Sequence, residues 1–189
     1  MKEYKCCSSF IELVSPSLEE IREEWARKIV IRFNNVARIA LQYEVVIHPV
    51  GEGIIFQFPK TRDLTDVNAI TDVLECSLQQ MERRMALSTQ LAKDELPEIS
   101  YRITIDYQTY FESEPGDEEH FFGPLFAWRF IRKIGNSAPA NIVVVGSELY
   151  KTVTAFPQLL QKYKFENIGK YLIDGSKDCP YPIYSLSRI

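Results

Sequence analysis

His48-Pro-Val-Gly-Glu-Gly-Ile-Ile-Phe-Gln-Phe58 sets a lone carboxylate, Glu52, between two glycines and two apolar runs. Glycine on either side lets the backbone take positive φ, so the stretch reads as two strands joined by a tight turn. A hairpin makes the pairing antiparallel here and shows where a sheet begins. Its carboxylate can face water, as charges on exposed turns routinely do, or it can ligate a metal if other ligands come near. The rest of the chain has to supply them.

On the N-terminal side, Tyr4 to Ile11 reads as a strand. Ser17 with Glu20 three residues later forms a capping box, and Ile21, Trp25, Ile29, Phe33, Val36, Ala40 and Leu41 follow at spacings of three and four. That pattern predicts one long amphipathic helix to about Gln42. On the C-terminal side, Asp63-Leu-Thr65 opens a second helix whose apolar face runs from Val67 to Met85. Ile99 to Asp106 alternates as a strand with one polar face, and Glu112 to Glu119 is an acidic loop. A helix over 121–134, a buried strand over 141–145, short helices from Ser147 and Pro157, and extended pieces over 165–173 and 182–186 complete the chain. No repeat or long linker interrupts it, so residues 1–189 are expected to form a single domain. The order βαββαβαβ predicts an α+β fold, a mostly antiparallel sheet with helices packed on one face.

The 189 residues are 46% hydrophobic and 25% charged, ordinary values for a globular chain. A net charge of -4 argues against nucleic acid as a partner. No run approaches the roughly 20 apolar residues of a membrane span, and the N-terminus has no apolar core of signal-peptide length. A cytoplasmic protein without membrane insertion is expected. Cys6, Cys7, Cys76 and Cys179 show no C-x-x-C spacing, and only two histidines accompany them, so free buried thiols are expected rather than zinc ligands.

Five stretches in order resemble the class III nucleotidyl (adenylate/guanylate) cyclase catalytic domain. Gly51-Glu-Gly-Ile-Ile-Phe-Gln-Phe58 resembles its Gly-Asp-Gly hairpin, and Tyr101-Arg-Ile-Thr-Ile-Asp106 its Arg-Ile-Gly-Ile strand. Phe122-Gly-Pro-Leu-Phe126 resembles its Phe-Gly-Pro helix entry, and Ala138 to Tyr150 its Pro-Gly-x-Ile-x-Val-Ser segment. Gly169 to Gly175 with Pro182-Ile-Tyr184 resembles its closing strand. The resemblance implies a ferredoxin-like βαββαβ core with additional strands and helices. It also implies a head-to-tail homodimer with composite active sites, where two aspartates hold two metal ions and a ribose hydroxyl attacks the α-phosphate of a nucleoside triphosphate.

Carried over residue by residue, the machinery is degenerate. Aligning the family's first-strand Phe with Phe10 puts Cys6 at the first metal position, or Ser8 with a gap, and the strand has no carboxylate before Glu12. Glu52 takes the second metal position. Counting from Gly123 puts Ala127 and Ile131 where the family has Asn and Arg, whereas counting back from Ile142 puts Trp128 and Arg132 there. Arg132 is thus a candidate phosphate contact or a solvated member of a basic cluster. The triphosphate Lys falls near Ile173, with Lys170 close by, and the base-reading positions fall on His48 and His120. No cofactor is expected, with Mg²⁺ or Mn²⁺ needed only by an active enzyme. The leading expectation is a catalytically silent or strongly impaired cyclase homology domain that signals through dimerisation and through a nucleotide or a partner protein. The alternatives are a divergent cyclase with a residual metal site and a ferredoxin-like interaction module with no nucleotide site.

Overall fold

The computed structural model describes residues 2–16, 21–51, 53–62, 65–112, 122–172 and 180–189, those at 2–3, 111–112 and 122–128 by backbone alone. In chain order the elements are β1 (Lys2–Ser15), α1 (Glu23–Ala37), a 3-10 turn (Arg38–Gln42), β2 (Val46–Val50), β3 (Gly53–Phe58), α2 (Val67–Glu82), α3 (Arg84–Lys93), β4 (Ser100–Glu112), α4 (Phe122–Asn136), β5 (Val143–Gly146), α5 (Ser147–Thr154), α6 (Pro157–Leu160), β6 (Tyr163–Leu172) and β7 (Pro180–Arg188). The described strands form one seven-stranded sheet in the order β2-β3-β1-β4-β5-β7-β6. Every pairing is antiparallel except that of β4 with β5. The first four strands and their helices reproduce the expected ferredoxin-like order, and a β6–β7 hairpin extends the sheet beyond β5.

Alternation along β1 decides what each face of the sheet can bury. Cys7, Ile11 and Leu13 join Phe56, Ile103, Ile105 and Val145 in the main core, with Ile29 and Phe33 of α1 and Ile70 and Leu74 of α2. The cap of α2 explains where that helix starts: the Asp66 carboxylate accepts from the amides of Asn68 and Ala69 at 3.0 and 3.2 Å. The first helix is shorter than its periodicity suggested, because after Ala37 the chain tightens into the 3-10 turn. The second breaks at Arg83 into α2 and α3, which leaves Met85 66% exposed rather than on the core face.

Helices cover both faces rather than one. On the second face Ile131 of α4 packs with Phe10 and Ile55, while Ile134 packs with Val144 and Ile183. Gly135 lets α4 come this close, since a Cβ there would lie 2.4 Å from the Thr104 hydroxyl. The polar face of β4 is therefore buried: Arg102, Thr104 and Asp106 are at most 5% exposed. Cys6, Cys7 and Cys76 are buried free thiols, as expected, and Cys179 lies outside the described residues.

Asp106 reaches the start of α5. Its carboxylate accepts from the Leu149 amide at 2.9 Å, the Tyr107 amide at 2.8 Å and the Tyr181 hydroxyl at 2.5 Å. Burial raises its carboxyl pKa from 3.8 to about 6, against the opposing effect of those hydrogen bonds. The folded chain thus holds this proton more tightly than the unfolded chain does. The contribution to stability is full below the unfolded pKa and is lost as pH rises through 6. In urea unfolding, wild type is expected to lose about 1–2 kcal/mol relative to Asp106→Asn between about pH 5 and pH 8. A difference that stays flat with pH would contradict this.

Candidate functional site

The hairpin forms as read: Gly51 has φ +55, and Val50 pairs with Gly53 across the turn. Glu52 itself lies outside the described residues. The β1–β3 register then shows which residue faces the turn. Glu12 sits opposite Gly53, whereas Cys7 sits opposite Phe58 at the far end of β3.

Cys6 is therefore six residues from Glu12 along β1, about 20 Å at the rise of a strand. Ligands that share a metal pair about 4 Å apart cannot be separated by that distance. The register thus sets Cys6, where the resemblance puts the lost first metal position, well away from the hairpin turn. Its environment agrees, because burial raises the thiol to about pKa 11 and the Gln57 amide donates to Sγ at 3.3 Å. Ser8, the alternative, shares a hydrogen bond with the Tyr110 hydroxyl. The carboxylate that sequence reasoning passed over is Glu12. The signal was the apolar alternation continuing from Phe10 to Leu13, which extends β1 far enough to bring Glu12 level with the turn.

Glu12 is 5% exposed and its charge is met from two sides. Arg102, opposite it on β4, donates to Oε1 at 2.7 Å, and Nε of Arg132 on α4 lies 3.4 Å from Oε2. Arg102 also donates to the Ala138 carbonyl at 2.8 Å and the Asn136 side chain at 2.7 Å, which ties the end of α4 to the sheet. Among the described residues Arg102 Nε and the Thr104 hydroxyl have no hydrogen-bond partner. Two guanidinium groups thus hold both oxygens of the carboxylate that faces the hairpin. Such a set does not fit a divalent cation, which would meet two like charges where it needs oxygen ligands. Among the described residues no group of three or more His, Cys, Asp or Glu side chains converges.

His48 lies on β2 opposite Ile55, on the face that carries Phe10 and Ile131. It is half-buried, and its Nε2 has no hydrogen-bond partner among the described residues. Ile131 is fully buried, while the Arg132 side chain is 47% exposed on its outer side. Ala127 and Trp128 fall in the first half of α4, where only the backbone is described. His120 and Ile173 lie outside the described residues. Lys170 is exposed on β6, opposite Pro182. Since β2 and β6 are the two edges of the sheet, one subunit does not bring His48 and Lys170 together.

A comparison with protein-family models finds no match, and a comparison with curated proteins finds none either. Solved structures do match. The chain is similar to the adenylyl cyclase CyaB from P. aeruginosa, with a TM-score of 0.73 and 15% identity over 98% of this chain and 95% of that one. It is similar to the guanylate cyclase domain of RhGC from Catenaria anguillulae, solved in complex with GTP, with a TM-score of 0.70 and 11% identity over 100% of this chain and 99% of that one. The non-canonical dimeric guanylyl cyclase domain of the RhoGC fusion protein from Blastocladiella emersonii matches with a TM-score of 0.68 and 11% identity, covering all of both chains. The chain therefore has the fold of the class III adenylyl and guanylyl cyclase catalytic domains over nearly its whole length. No helix among the described residues is long and apolar enough to cross a membrane.

Proposed function

We propose that the chain is a nucleotidyl cyclase homology domain, catalytically silent or strongly impaired, that acts in signalling as a homodimer binding a nucleotide or a partner protein. The observation that carries this reading is the engagement of both Glu12 oxygens by Arg102 and Arg132. Nucleotidyl transfer depends on cations placed to neutralise charge at the phosphate. A carboxylate already neutralised by its own chain gives them poor purchase. Arg132, the candidate phosphate contact, serves here as the partner of Glu12. The place of His48 on β2, at a position that the cyclase resemblance assigns to base reading, is what favours a nucleotide as ligand. The separation of His48 and Lys170 on opposite sheet edges supports a head-to-tail homodimer, in which one subunit supplies each.

The test is mass spectrometry of the products after long incubation of the pure chain with each ribonucleoside triphosphate and Mn²⁺. No cyclic nucleotide is expected from any of them. Glu52→Ala is expected to leave the dimer intact by sedimentation. A second reading, a divergent cyclase, is favoured by one fact: the hairpin is faced by a carboxylate, Glu12, as a metal-dependent site would require. A cyclic product that disappears in both Glu12→Gln and Glu52→Ala would establish that reading and overturn the first. Absence of both product and nucleotide binding would leave an interaction module.

A further inference from the structure

On the face of the sheet opposite Glu12, α1 and the β2–β3 hairpin enclose an open groove of about 500 Å³. That volume falls in the range of small-molecule sites. Val30, Phe33, Leu41, Ile47, Ile54 and Phe56 make its walls apolar, and the backbone of Gly51 and Gly53 lines one end. Leu41 and Ile47 stand at its rim 57% and 40% exposed, so the apolar lining continues to the mouth of the groove. Its lining comes from α1, the 3-10 turn after it, Leu13 of β1 and the β2–β3 hairpin. A slender ligand suits it better than a folded partner.

The polar groups of the lining are Asn34 and Arg38, one helical turn apart and therefore on the same side of the chain. Arg38 carries the single charge among the described lining residues, and it has no ion-pair partner among the described residues. Asn34 is exposed, and its side chain makes no hydrogen bond among the described residues. An apolar channel with one guanidinium and one amide at its mouth is complementary to an apolar tail ending in a carboxylate. The end of α1 disfavours an anion, but the chain continues into the 3-10 turn that takes up the last carbonyls, and a direct guanidinium contact exceeds the residual dipole. The structural alternative, Arg38 as the cation that complements the end of α1, explains the arginine but neither the groove nor its exposed apolar rim.

We propose that this groove binds a single-chain carboxylate of about ten to fourteen carbons, the tail along Phe33, Ile47 and Ile54 and the head on Arg38 and Asn34. Such a ligand would lie on the far side of the sheet from the Glu12 cluster, so the inference does not depend on the reading of that cluster.

Isothermal titration of the full chain with decanoate, dodecanoate and tetradecanoate, each below its micelle threshold, tests this. Saturable binding with one ligand per chain is expected, tightening by about fourfold for each added methylene. Decanol in place of decanoate, and Arg38→Gln with decanoate, should each weaken binding by about tenfold. Ile47→Glu, an exposed substitution that puts a like charge in the wall, should abolish it while the circular dichroism melt stays within a few degrees of wild type. No saturable heat, equal affinity for decanol and decanoate, or an Arg38→Gln curve that overlays wild type would each overturn the proposal. Co-sedimentation with phosphatidylglycerol vesicles that Arg38→Gln abolishes, with no binding of monomeric dodecanoate, would make this a membrane-facing surface and also overturn it.

Discussion

Arg102→Met is expected to destabilise the fold by about 3–5 kcal/mol, because it strands a carboxylate that the structure buries. Glu12 and Arg102 are each 5% exposed and face one another across adjacent strands. Methionine fills much of the space but leaves Glu12 with Arg132 alone, at 3.4 Å and from a half-exposed side. It also frees the Ala138 carbonyl and the Asn136 amide, which Arg102 holds at 2.8 and 2.7 Å. Urea unfolding followed by circular dichroism reads the effect. Replacing both partners, Glu12→Leu with Arg102→Met, should recover most of the loss, since no buried charge is then left over. A single variant within about 1 kcal/mol of wild type would mean that water or a rearranged side chain reaches Glu12, and the account of the site as closed would fail.

Gly146→Ala is expected to cost about 3 kcal/mol, from crowding rather than from charge. A methyl group there would sit 2.1 Å from one Asp106 oxygen and 2.7 Å from the other. The carboxylate cannot step aside cheaply, because the Leu149 amide and the Tyr181 hydroxyl hold it at 2.9 and 2.5 Å. Either the start of α5 moves or those hydrogen bonds stretch. Gly51→Asn is the contrasting case: nothing lies within 4 Å of the added Cβ, and asparagine tolerates positive φ, so the same assay should read at most about 0.5 kcal/mol. Equal costs at the two glycines would show that backbone freedom, not the close approach to Asp106, is what Gly146 supplies.

Most of the sheet was legible because it rests on local pattern. The glycines around Glu52, the alternation of Ile99 to Asp106 and the apolar run before Gly146 each declare a strand without help from the rest of the chain. Glu12 was harder. Its importance follows from register, and register is a property of two strands, not of one. The family's Phe offered Phe10 as an anchor, and counting four residues back from it led to Cys6, at the wrong end of β1. Only the pairing of Glu12 with Gly53 shows which carboxylate faces the turn. The second face of the sheet was hidden for a related reason. Arg102, Thr104 and Asp106 alternate as a solvated strand would, and a polar face covered by a helix has the same sequence period as one covered by water. Gly135, where α4 touches Thr104, marks the difference, but a lone glycine in a helical pattern announces no contact. The break at Arg83 carries neither Gly nor Pro and gave no signal of any kind.

β1 is the first strand in the chain, yet its partners come late. It pairs with β3 through residues 53–58 and with β4 from Ser100 to Glu112, so its two neighbours lie some 45 and 100 residues downstream. A centre assembled from such distant segments has high contact order, and the entropy of closing the intervening loops precedes most of the gain from pairing. During synthesis β1 leaves the ribosome well before β3 and β4, and its two edges stay unpaired by them until they follow. The centre of this sheet therefore closes only once β4 has been made, and until then the segment from Cys6 to Leu13 is a strand with two open edges that a chaperone can bind.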